Sequence, residues 1–496
     1  MNREDYLVAS ISVPDDPPPL AIIADQTLDI NLEGQKPKKK RRRSSKVKHV
    51  DELDNFNVLG PVKELVIPLM MSAIGNLGAG LILDRIQYWK VFVTIPQLIA
   101  LVPALLGLKG NVEMTLSSRL TTQAHLGHLN DRKIRRKFLI GNLALAQAQA
   151  SGVGLLAPII AIGISCFQGK DHDSTDNHMI TWPKALLTIS ASVVTSAVAD
   201  LLLASTMCTI IIMTYFYCKV DVDNIATPIA ASLGDLVTMG FLSGISLILF
   251  RIFNDPSLHW LLGMPILFYL MILSIVTMIA RRNPYVSKQI IFGWNPLVVS
   301  MLIQNLSGMV MERFIREFPR MTVFQPIING FGGNLVALQS SRVGTDLHKN
   351  AQKKEMINQS EKCCTFPWVF YFGKGRHGRL ASVMVLIAAP FQMPFIIAAS
   401  TLAGKSYLTP LFFLTYYVVS TVQVIVILYI GYCFVNFLWI VGVNPDNSSI
   451  PILTALADLL GCLLLAFGFL FMAAFNDPNA IPDFPPPFPS NSTVFY

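Results

Sequence analysis

One stretch of this chain occurs twice. Residues 103–122, Pro-Ala-Leu-Leu-Gly-Leu-Lys-Gly-Asn-Val-Glu-Met-Thr-Leu-Ser-Ser-Arg-Leu-Thr-Thr, align without a gap to residues 326–345, Pro-Ile-Ile-Asn-Gly-Phe-Gly-Gly-Asn-Leu-Val-Ala-Leu-Gln-Ser-Ser-Arg-Val-Gly-Thr, at an offset of 223. Eight of the twenty positions are identical, and all eight are polar or helix-breaking. Shared apolar composition therefore does not explain the match. The offset recurs more than a hundred residues on, where Asp223-Asn-Ile-Ala-Thr-Pro-Ile-Ala-Ala-Ser-Leu-Gly-Asp235-Leu meets Asp446-Asn-Ser-Ser-Ile-Pro-Ile-Leu-Thr-Ala-Leu-Ala-Asp458-Leu. Upstream, Pro68, Ser72, Gly80 and Asp84-Arg85 face Pro296, Ser300, Gly308 and Glu312-Arg313 at an offset of 228. The fold must be built from two copies of one unit.

The units belong in a membrane. A spanning helix needs about 20 mostly apolar residues, and eleven such segments are predicted. They begin near 62, 91, 138, 183 and 224, then 259, then 290, 321, 380, 408 and 449. Only 14% of the 496 residues are charged, against the about 25% of soluble domains. This excludes a soluble enzyme, a disordered chain and a coiled coil, and seven Cys exclude a disulfide scaffold. The predicted fold class is an all-α polytopic membrane protein. A disordered cytosolic tail (1–60) precedes repeat one (61–250), a linker helix (251–284), repeat two (285–474) and a Pro-rich extracellular tail (475–496). Five helices is an odd number, so the sixth is needed to leave both repeats the same way up, related by a pseudo-twofold along the membrane normal.

Charge sets the orientation. Arg132, Lys133, Arg135, Arg136 and Lys137 follow the motif in copy one, and Lys349, Lys353, Lys354, Lys362, Lys374, Arg376 and Arg379 follow it in copy two. With Arg281-Arg282 and the basic run 36–43, these read as cytosolic. The run 36–43 also has the composition of a nuclear address, though a positive-inside anchor is the simpler reading. The loop 170–177 and the C-terminus, with the sequon Asn491-Ser492-Thr493, then lie outside.

Few groups inside the spans carry chemistry. Asp235 and Asp458 hold the same place in the two copies, about midway through a helix. A buried carboxylate costs several kcal/mol unless it faces water, a cation or a partner, and two on one axis offer charge −2 to a divalent ion. Asn111 and Asn334 each follow a Gly in a Pro- and Gly-bearing segment. This predicts interrupted helices that free backbone carbonyls; a helix cap is the bland alternative. Glu113 and Asp200 are unduplicated, facing Val336 and Gln423. Each is a candidate for the ion path or a bond to a neighbouring helix. Asp84-Arg85 and Glu312-Arg313 read as local ion pairs at helix ends.

All these ligands are oxygen, which suits Mg²⁺, a hard cation that keeps several waters and uses one or two carboxylates. Ca²⁺ shares that chemistry. His125, His128 and His348 show no ligand spacing, and Cys363-Cys364 reads as free thiols or a palmitoylation site. No Gly-x-x-x-x-Gly-Lys-Ser/Thr run is present, so coupling would draw on an ion gradient or the membrane potential.

The repeated motif, Gly107–Thr122 and its copy through Gly332-Gly333-Asn334, together with the paired Asp235 and Asp458 segments, resembles solute carrier family 41, animal magnesium transporters related to bacterial MgtE. The resemblance covers residues 60–475. It implies Mg²⁺ movement through a central pore with the family's pore Asp at Asp235 and Asp458 and its Gly-Asn site at Asn111 and Asn334. The expected location is the plasma membrane, with an organelle membrane as the alternative; no enzymatic activity is expected, and the family's link to Na⁺-coupled Mg²⁺ export makes Na⁺ the candidate coupling ion. Lys109 departs from the pattern where copy two has Gly332, and a long cytosolic Mg²⁺ sensor has no room before the first helix. Two other readings compete: a transporter of another divalent ion or an organic solute, and an intramembrane aspartyl protease. The protease reading is weak, because its two Asp residues sit in dissimilar motifs whereas these sit in duplicates.

Overall fold

The computed structural model describes residues 59–125, 128–168, 181–218, 223–287, 289–350, 365–373, 375–404, 408–443 and 445–481. Residues 1–58 of the proposed N-terminal tail, the loop 170–177, Cys363-Cys364 and the sequon at Asn491 lie outside them, as do the side chains of His125, His128 and His348. Among the described residues the chain is helical and contains no strand. Eleven helices of 19 residues or more follow one another. Repeat one holds α1 (Leu59–Ile86), α2 (Gln97–His125), α3 (Arg132–Gln168), α4 (Trp182–Met213) and α5 (Asp223–Phe253). Next comes α6 (Met264–Arg282), after a 3₁₀ segment Pro256–Gly263. Repeat two holds α7 (Trp294–Glu317), α8 (Met321–Asn350), α9 (Arg376–Leu402), α10 (Pro410–Val441) and α11 (Pro445–Ala474).

Nine of the eleven are long and apolar enough to cross a membrane; α7 and α8 are not. Their polar residues explain the difference. Gln304 and Asn305 on α7, and Gln325, Asn329 and Gln339 on α8, are all buried. These amides face protein, and they lower the hydropathy of both helices even though α7 also exposes Val299, Leu302 and Leu306. The linker α6 is the opposite case. Only 6% of its span is buried, and it lies against α3 and α4 with Leu267, Phe268 and Met271 exposed.

The two repeats exchange their first helices. α1 packs on α5 of its own repeat and on α8 of the other, and α7 packs on α11 and on α2. Leu297, Met301, Met311 and Ile315 of α7 accordingly join the apolar core of repeat one, while Leu69 and Ala73 of α1 join that of repeat two. Both crossings use a glycine. A Cβ on Gly80 would stand 2.5 Å from the carbonyl oxygen of Val323, and one on Gly308 would stand 1.8 Å from that of Ala100. Gly80 and Gly308 are sequence equivalents, and so are Ala100 and Val323, so the same contact is made twice across an approximate twofold.

The expectation of interrupted helices is corrected here. α2 and α8 run unbroken through Pro103 and Pro326 and through Asn111 and Asn334. Gly107 and Gly330 serve close approach instead. A Cβ on Gly107 would meet Gln304 Nε2 at 1.7 Å, and one on Gly330 would meet Asn76 Nδ2 at 1.8 Å. Glycine is tolerated inside a helix when its missing side chain lets a neighbour in.

Candidate functional site at the repeat interface

Asp235 and Asp458 lie near the middle of α5 and α11, and both are half-buried. They line one cavity of about 80 Å³ between α1, α2, α5, α8 and α11, and Asn111 and Asn334 line it as well. Four of the six residues singled out from sequence thus meet at one place, one Asp and one Asn from each repeat. The Asp458 carboxylate lies within electrostatic reach of Asp235. Glu113 and Asp200 are fully buried but are not part of the lining. Glu113 sits behind it: its Oε2 is 3.5 Å from where a Cβ on Gly234 would stand, one residue before Asp235. Asp200 belongs to α4, which packs against α2 and α5.

Hydrogen bonds hold the two Asn side chains differently. Asn111 Oδ1 accepts from Thr454 Oγ1 at 2.8 Å, and its Nδ2 donates to the carbonyl of Pro451 at 3.3 Å. Asn334 Nδ2 donates to Ser72 Oγ, which also accepts from Asn76 Nδ2 at 3.3 Å. Ser72, Asn76, Gln325, Asn329 and Thr454 complete much of the polar lining. Sequence reasoning missed these. For Asn76 a signal existed: its equivalent at the 228 offset is Gln304, so an amide recurs mid-helix in both copies, but a comparison of identities passes over it.

The expected ion pairs are part right. Glu312 Oε1 lies 2.8 Å from Arg316, and Arg313 pairs with Glu317 at 3.5 Å. Asp84 turns inward, where its Oδ1 accepts from Gln87 Nε2 and from Thr322 Oγ1, each at 3.2 Å, and so ties α1 to α8.

Among the described residues no group of three or more His, Cys, Asp or Glu side chains gathers in metal-binding geometry. The cavity instead offers two carboxylates and several neutral amide and hydroxyl oxygens, with room for water. That set suits a hard cation that keeps part of its hydration shell.

The family model described as MgtE, divalent cation transporter, matches this chain twice, over residues 102–245 and 325–468. Both segments are the same length and are displaced by the 223 residues of the internal offset, and each holds one Asn and one Asp of the cavity. The chain belongs to the MgtE divalent cation transporters, within solute carrier family 41. Its similarity to solute carrier family 41 member 2 of Gallus gallus is 35% identity over 84% of this chain and 71% of the relative. For member 2 of Homo sapiens the figures are the same. For member 3 of Rattus norvegicus they are 34%, 84% and 88%. No solved structure matches the chain significantly. As a member of solute carrier family 41 it is a multi-pass membrane transporter of divalent cations and not an enzyme, which sets aside the protease alternative.

Proposed function

We propose that this member of solute carrier family 41 moves Mg²⁺ through a pathway on the approximate twofold between its repeats. One observation carries the reading: equivalent Asp and Asn residues from both copies surround one cavity. Asp235 and Asp458 balance the charge of a divalent ion there. Asn111 and Asn334 supply neutral hard oxygens, and the retained waters bond to the rest of the lining. Glu113 and Asp200 act from behind the wall through their negative potential rather than as ligands. The repeats occupy 61–250 and 285–474, joined by the segment 251–284, and the tails are 1–60 and 475–496.

Basic loops after α2 and α8 favour a cytosolic N-terminus and an external C-terminus in the plasma membrane. Mg²⁺ export is then driven by Na⁺ entering against it, since an outward divalent ion works against an inside-negative potential worth about 2.3 kcal/mol per charge per 100 mV. The test is flux of isotope-labelled Mg²⁺ in proteoliposomes, with and without an opposed Na⁺ gradient and with Ca²⁺ and Mn²⁺ as competitors. Mg²⁺ flux that requires the Na⁺ gradient supports the exchanger. Flux indifferent to Na⁺ replaces it with a channel, and preference for Ca²⁺ or Mn²⁺ replaces the cargo.

A further inference from the structure

The two halves of the cavity are alike in sequence but not in bonding. Asn111 is almost fully buried, with both ends of its amide engaged on α11. Asn334 is half-buried. Its Nδ2 is engaged on α1, and among the described residues its Oδ1 accepts no hydrogen bond. A single residue type accounts for this. Thr454 supplies the hydroxyl that closes on Asn111, and its equivalent in repeat one is Ala231, which has none. Repeat one cannot make the mirror contact with Asn334.

Thr454 also has somewhere else to go. Its hydroxyl has one proton and three acceptors within reach: Asn111 Oδ1 at 2.8 Å, the carbonyl of Ile450 at 2.9 Å and that of Pro451 at 3.1 Å. A threonine in a helix bonds readily to the carbonyl four residues back. It can therefore release Asn111 without leaving a buried donor unpaired, and the exchange is nearly balanced.

We infer that Thr454 is a latch on the ion path: bonded to Asn111 it withholds that carbonyl oxygen from a cation, and rotated onto the carbonyl of Ile450 it releases it. The inference rests on the proposed role of the cavity as the Mg²⁺ site. A site competent for only part of the time binds with affinity reduced by that fraction. Removing the latch should tighten apparent binding, and adding a second should weaken it. Thr454 is thus a positioning residue for Asn111, and the asymmetry of the repeats becomes a device that sets the working Mg²⁺ concentration.

The test is the Mg²⁺ concentration for half-maximal flux in proteoliposomes. Thr454→Val keeps the side-chain shape without the hydroxyl, and Thr454→Ser keeps the hydroxyl. The expected result is a fall of about twofold in the half-saturating concentration for the Val variant, as follows when a site open about half the time becomes always open, with the Ser variant close to wild type. Ala231→Thr, which offers Asn334 the mirror latch, should raise it by a similar factor, and it decides the matter if the Val variant fails to reach the membrane. Equal values for wild type and the Val variant, or for wild type and Ala231→Thr, overturn the latch. If Asn111→Ala and Asp235→Ala also leave flux unchanged, it is the Mg²⁺ reading of the cavity that falls.

Discussion

Gln304 of α7 lies flush against Gly107 of α2, so that a Cβ on the glycine would stand 1.7 Å from Nε2 of the amide and 3.0 Å from Oδ2 of Asp458. The twofold-related contact, Asn76 against Gly330, is as tight. Gly107→Ala and Gly330→Ala should each displace an amide beside the cavity. Overpacking of this kind costs about 1–3 kcal/mol. Both variants should melt earlier in detergent than wild type, and Gly107→Ala, which also crowds Asp458, should lose more Mg²⁺ flux. Gly110→Ala is the control, since nothing stands near its Cβ position.

The helix crossings carry a second prediction. At Gly80 and Gly308 the obstacle to a side chain is a backbone carbonyl, which cannot rotate away as an amide can. Gly308→Ala, at 1.8 Å, should be more damaging than Gly80→Ala at 2.5 Å. Surface expression and the thermal midpoint of the purified protein report the order.

Behind Asp458, Gln423 Nε2 donates to the carbonyl of Ala457 at 3.0 Å, and a Cβ on Gly332 would meet that nitrogen at 2.6 Å. The equivalent positions of repeat one hold Lys109 and Asp200, one residue longer and the other shorter than its counterpart. Gly332→Lys alone should therefore destabilise the protein strongly, and Gly332→Lys with Gln423→Asp should recover much of the loss. A double-mutant cycle on thermal stability measures the coupling, expected at about 1–3 kcal/mol. Additive losses would mean that the two positions do not compensate.

At the far end of α1, Asp84 accepts from Thr322 in a buried network, whereas its equivalent Glu312 pairs with an Arg316 side chain that is 43% exposed. A buried hydrogen bond to a charged group contributes about 1.5–3 kcal/mol, an exposed ion pair about 0–1 kcal/mol. Thr322→Val should lower the melting midpoint clearly and Arg316→Ala barely.

Much of this architecture is written in the sequence, because membrane spans and repeats leave long signals. The eleven helices appear near their expected starts, and Asn111, Asn334, Asp235 and Asp458 converge as their duplication implied. Two things were illegible for physical reasons. Gly107 and Gly330 suggest breaks when read locally; only the partner across the interface, Gln304 or Asn76, reveals them as contact points. Glu113 and Asp200 are acids inside helices, as Asp235 and Asp458 are, but which of them line the cavity depends on how the repeats exchange α1 and α7, and no local pattern contains that exchange.

The most direct test of the central claim is Mg²⁺ flux through the purified protein in liposomes when each repeat's carboxylate is removed separately, by Asp235→Ala or Asp458→Ala, with folding checked by retention in the membrane and a monodisperse elution profile. The account predicts that either change alone abolishes flux, since both repeats supply charge to one cavity. Full flux in both single variants would contradict it.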